Sequence, residues 1–128
     1  MRCLFLFLIY TLFVTNVNGG GNKGIGGVWI TPTATMHLEV YQEYILNGWY
    51  SLLPLPGTYM LNGLLGNGGV LCFGVVWQNG INDTESVTTW NGFYDAENNT
   101  IQTHWVTMTL PISITRGSEI YVKNKIYK

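Results

Sequence analysis

Between Gly27 and Tyr127 the chain breaks into eight short runs rich in Val, Ile, Thr, Tyr and Trp, and none carries the period of an amphipathic helix. The runs cover residues 27–31, 35–41, 44–52, 58–65, 70–79, 85–95, 100–110 and 119–127. Turn chemistry separates them: Pro32-Thr33-Ala34, Gly66-Asn67-Gly68-Gly69 and Glu97-Asn98-Asn99 are segments where a strand has to stop. Links this short join antiparallel neighbours, so the strands are expected in up-and-down order. A sheet of eight strands in so short a chain leaves two exposed edges unless it closes on itself. The expected fold is therefore all-β, an eight-stranded antiparallel up-and-down β-barrel.

Part of the 47% hydrophobic content lies in the first residues. Arg2 precedes an apolar run from Cys3 through Val14, and Gly19, Gly20 and Gly21 follow. That order of charged, apolar and small residues is that of a secretory signal peptide over residues 1–20. The run is short of the ~20 apolar residues that a membrane-spanning helix needs. One domain, residues 21–128, is then expected outside the cell, with no membrane in the mature form. Cys3 leaves with the leader and Cys72 stands alone, either as a buried free thiol or as a bridge to a second chain. Asn82-Asp83-Thr84 and Asn98-Asn99-Thr100 both fit the N-glycosylation sequon. The net charge is −1 and the six Lys and Arg residues are scattered apart from a few at the end, which argues against nucleic acid as a partner.

Strand parity sharpens the picture. Side chains two apart share a face, so Trp77 goes with Val75, Trp90 with Ser86 and Thr88, and Trp105 with Thr103 and Thr107. A face that collects flat rings and small hydroxyls suits a small-molecule pocket. The competing reading is a plain aromatic core. Val76, Val87, Val106, Met108 and Leu110 have the opposite parity. If the tryptophans point in, these apolar side chains point out, and an apolar outer stripe marks an interface. A homo-oligomer, dimer or tetramer, is expected, with Val106, Met108 and His104 near its contact. His37 and His104 have no third ligand at metal spacing, and no nucleophile–base set or carboxylate pair stands out, so neither a metal site nor an enzyme is expected.

The chain resembles the avidins and streptavidins from Gly27 to its C-terminus. The anchors are Gly27-Val28-Trp29, Asn47-Gly48-Trp49-Tyr50, Phe73 through Asn79 with Trp77 inside it, Ser86 through Gly92 with Trp90, Ile101 through Trp105, and Val122-Lys123-Asn124. The resemblance implies a non-catalytic, secreted protein that holds biotin as a bound ligand rather than as a cofactor. It implies that Tyr50, Thr31 and Thr35 contact the ureido oxygen, and that Asn124 accepts from a ureido N–H. Trp77, Trp90 and Trp105 would form the apolar box, and Ser86 and Thr88 would lie near the ligand's carboxylate and ring sulfur. Trp29, on the first strand, reads by itself as a structural plug rather than a ligand contact. Four departures stand out. Leu52 occupies the place of a hydroxyl acceptor, and the loop after it (Leu53-Pro54-Leu55-Pro56-Gly57) is short and proline-rich. Thr107 replaces an apolar wall, and Arg116 falls where tetrameric members place a tryptophan that covers the neighbouring subunit's ligand. These departures keep open a barrel that has lost tight biotin binding and serves as a structural protein or as a carrier of another small apolar ligand.

Overall fold

The structure, a computed structural model, describes residues 24–78 and 85–126. The leader and Asn82 lie outside the described residues. Eight strands follow in chain order: β1 (Gly27–Ile30), β2 (Ala34–Tyr41), β3 (Ile45–Leu52), β4 (Tyr59–Leu65), β5 (Val70–Trp77), β6 (Ser86–Asp95), β7 (Thr100–Thr109) and β8 (Ser113–Lys123). Each pairs antiparallel with the next, and β8 returns to β1 to close the barrel. Closure rests on a narrow seam, where Trp29 faces Lys123 and Ile30 faces Val122. The backbone N–H of Asn124 extends that seam by donating to the Val28 carbonyl at 2.8 Å.

The expected architecture holds, with one strand misjudged. β8 begins at Ser113, not at Glu119, and stops at Lys123. Pro111, Arg116 and Gly117 make residues 111–118 read as a loop, yet Ser113 to Ser118 pair in unbroken register with Thr109 back to His104. Gly117 sits opposite Trp105, and a Cβ there would lie 2.5 Å from the indole. The glycine that looks like a turn signal is thus a gap into which the Trp105 ring packs.

Inside and outside follow the pleat. Trp29, Met36, Leu38, Leu46, Leu61 and Ile101 are sealed from solvent and fill one end of the barrel. Trp29 is the plug there. Its indole N–H donates to the Ile25 carbonyl at 2.8 Å, its ring meets Tyr94 edge-on, and the Lys123 ammonium lies 5.3 Å above it. Lys123 also donates to the Gly24 carbonyl, so the residues before β1 are tied across the closed end. At the other end, the β1–β2, β3–β4 and β7–β8 connections border an opening.

Beyond the closed end, β2 and β3 are joined by the three residues 42–44, of which Gln42 and Glu43 both hold positive φ, 50° and 69°. The Tyr44 N–H donates across it to the Tyr41 carbonyl at 3.2 Å. That is the twist a tight hairpin demands, and neither side chain suits it. Replacing the pair with Asn-Gly (Gln42→Asn with Glu43→Gly) is expected to raise unfolding free energy by about 1 kcal/mol. Urea denaturation followed by tryptophan fluorescence measures it; an unchanged or lowered midpoint would contradict the assignment.

Candidate functional site

The open end leads into a chamber of about 340 Å³ lined by Tyr50 and Leu52 of β3, Leu55 of the following loop, Trp77 of β5, Ser86, Thr88 and Trp90 of β6, Trp105 and Thr107 of β7, and Glu119 of β8. Its size lies at the lower end of ordinary small-ligand sites. The walls are aromatic. Tyr50 lies against Trp90 with centroids 4.9 Å apart and meets Trp77 edge-on at 5.7 Å. Phe73 stacks behind Trp90 at 4.9 Å with planes 16° apart, and Tyr59 braces Trp77 at 4.8 Å. These supports lock the two indoles from outside the chamber, so their inner faces are presented in fixed positions.

The polar groups are tied to one another. Trp77 Nε1 donates to Thr88 Oγ1 at 2.8 Å, and Thr88 Oγ1 shares a 2.6 Å bond with Thr107 Oγ1. Deeper, the Glu119 carboxylate accepts from the Tyr121 hydroxyl at 2.5 Å and from Trp90 Nε1 at 3.4 Å. Tyr50 Oη lies 2.8 Å from Tyr121 Oη. A phenol has one proton to give, and that of Tyr121 goes to Glu119. The proton between the two phenols therefore comes from Tyr50, and the relay runs Tyr50 to Tyr121 to Glu119. Tyr50 is left to meet the chamber with its lone pairs.

Of the residues expected at the site, Tyr50, Trp77, Ser86, Thr88, Trp90 and Trp105 converge on the chamber. Thr31, Thr35 and Asn124 do not line it. Thr31 Oγ1 accepts from the N–H groups of Thr33 and Ala34 at 3.3 and 2.9 Å, which makes it the staple of the β1–β2 turn. Thr35 is exposed on the outer face opposite Ser51, and Ala34 takes the inward place beside it. Asn124 lies past the end of β8, on the closed side of the barrel, where its side-chain oxygen accepts from the Ile126 N–H at 3.1 Å. The residues that β8 brings to the floor are Glu119 and, just behind, Tyr121. Both were missed because Ile120 and Val122 alternate with them and look like the buried set. The available signal was parity with Gly117, the residue on which Trp105 rests. Among the described residues, no group of three His, Cys, Asp or Glu side chains is placed to hold a metal ion.

No family model matches the chain, and no curated protein matches it by sequence. Solved structures do match it. A complex of shwanavidin with biotin superposes with a TM-score of 0.68 at 21% identity, covering 80% of this chain and 99% of that one. Apo short afifavidin gives 0.66 at 27% identity, covering 79% and 96%. The fold is that of the avidins. A rhizavidin–biotin complex agrees, with a TM-score of 0.64 at 24% identity over 82% of this chain and 100% of that one. The avidin-like barrel described above thus spans nearly the whole length of each of these proteins.

Burial pushes the Tyr50 hydroxyl well above the ordinary phenol range, reinforced by the nearby Glu119 charge. Burial raises Tyr121 further, with Tyr50 and Glu119 adding to it. A phenol whose native-state pKa is raised keeps its proton in the folded chain after the unfolded chain has lost it near pH 10. Its contribution to stability is complete below that pH and declines above it, by about 1.4 kcal/mol per pH unit for each such tyrosine. Denaturation series from pH 9 to 11.5 are expected to show this fall, and Tyr121→Phe is expected to make it shallower. An equal slope in wild type and variant would remove Tyr121 as a source.

Proposed function

We propose that this chain is a secreted, non-catalytic protein that sequesters biotin in the barrel chamber. The observation that carries this reading is the pairing of an aromatic-walled, closed-ended chamber with a deep carboxylate, on a fold whose structural neighbours include biotin complexes. In this reading the bicyclic ring of biotin lies between Trp77, Trp90 and Trp105. The ureido N–H groups reach the Glu119 carboxylate, and the valerate chain runs past Leu52 and Leu55 to the mouth. Ser86 and the proton left over by the Thr88–Thr107 pair then meet the ligand's carboxylate.

The ureido oxygen fares worse. Thr31, Thr35 and Asn124 stand away from it, Ala34 and Leu52 face inward, and Tyr50 has committed its proton to Tyr121. A buried carbonyl without a full set of donors costs about 1–3 kcal/mol. Affinity is therefore expected to fall well below the ceiling reached by the tightest biotin binders. Titration with biotin should alter tryptophan emission, since three indoles line the chamber, and at about 100 times Kd it should raise unfolding free energy by about 2.7 kcal/mol. Emission and melting temperature both unmoved at a large excess would refute the proposal.

A homo-oligomer belongs to the same reading. Val76, Val87, Met108 and Ile114 stand side by side on β5 to β8 in one register and are 52%, 41%, 50% and 48% exposed. Val106 lies in the next row beside Arg116, and Cys72 and the exposed pair His104–Ser118 lie beyond it. A contiguous apolar row of this kind on a small protein suits association with a second copy. Sedimentation of the wild-type chain is expected to give a dimer or tetramer, and Val106→Lys with Met108→Lys a smaller species. A wild-type monomer at micromolar concentration would rule this out.

A further inference from the structure

We infer that the chamber floor selects a cationic head group rich in N–H donors, a guanidinium or amidinium, over a neutral cyclic carbonyl. The inference rests on the proposed ligand chamber and specifies the chemistry of what its floor takes. The Trp105 indole N–H aside, every polar atom at the floor is an acceptor or has already given its proton. Trp77 Nε1–H goes to Thr88 and Trp90 Nε1–H goes to Glu119. The Tyr121 hydroxyl goes to Glu119 and the Tyr50 hydroxyl to Tyr121. What faces an incoming head group is the Glu119 carboxylate and the lone pairs of Tyr50. The remaining hydroxyl protons belong to the Thr88–Thr107 pair and Ser86, on the mouth side of Trp90.

Charge points the same way. Among the described residues, Glu119 is the only charged one lining the chamber, and no described Lys or Arg there balances it. Around it stand Tyr50, Trp77, Trp90 and Trp105. A desolvated cation is drawn both to aromatic faces and to a carboxylate, and a planar guanidinium matches a carboxylate with two parallel N–H bonds. A buried cation needs such pairing to offset its lost hydration. A urea carbonyl of the same shape brings an acceptor to a floor of acceptors. Beyond the single Trp105 indole N–H, its oxygen gains a donor only if Tyr50 turns its proton away from Tyr121, which strips the relay of one bond.

The test compares two ligands of one frame at neutral pH by isothermal titration calorimetry on the mature full-length chain. One is biotin, and the other is iminobiotin in its protonated form, in which a guanidinium carbon replaces the ureido carbonyl. The protonated analogue is expected to bind about tenfold tighter than biotin. Glu119→Gln should cost the analogue about tenfold more than it costs biotin. Tyr121→Phe should release the Tyr50 proton toward the ligand, so biotin binding strengthens and the preference for the analogue shrinks. If Tyr121 were only structural, that variant would weaken both ligands alike. Biotin bound as tightly as the analogue, or more tightly, overturns this inference and leaves the biotin-binding reading standing. If neither ligand binds, both are overturned.

Discussion

Closure of the eight-stranded ladder is the constraint on which the rest of this structure depends. An open sheet of the same strands would have two wet faces, and the alternation of side chains would mean little. Once β8 meets β1, parity becomes a decision between a dry interior and solvent. The seam that accomplishes this is short: two residue pairs, the Asn124 backbone bond, and Lys123 tied to Gly24 over the Trp29 ring. Asn124 therefore serves the barrel at its closed end, far from the role that the resemblance implied for it.

The interior divides by the size of what is packed. At the closed end, Trp29 and a set of aliphatic side chains fill the barrel solidly. Toward the mouth, Gly117 on β8 and Ala34 on β2 contribute little volume, and rings that lean on each other leave space between them. A half-buried carboxylate in that space gathers donors, because a charge partly withdrawn from water needs hydrogen-bond partners. Glu119 draws in Tyr121 and Trp90, and Tyr121 draws in Tyr50. The electrostatic character of the floor thus follows from one residue's demand for donors.

The outer surface explains why some assignments were legible and others were not. Where a strand carries large rings on one face, as β5 to β7 do, the inward set could be read from Trp77, Trp90 and Trp105, and the outward parity of Val76, Val87, Val106 and Met108 followed. On β8 both faces mislead. Ile114, Ile120 and Val122 face out, while Glu119 and Tyr121 face in, the reverse of the pattern for a strand with one wet face. β2 shows a smaller version of the problem. The turn before it puts Ala34 inside and Thr35 outside, a one-residue shift that flips every side chain of the strand.

Local sequence was enough for the number of strands, their antiparallel order, the closed barrel, the Trp29 plug and the tryptophan walls. Each of these depends on runs of β-favouring residues, turn chemistry and period-two alternation, which act over a few residues. The start of β8, the outward turn of Thr35, the relay from Tyr50 to Glu119 and the displacement of Asn124 came only with the folded chain. They depend on register between strands far apart in sequence and on which donor is nearest a half-buried charge. Tyr50 and Tyr121 are 71 residues apart, and only the ladder brings their hydroxyls together.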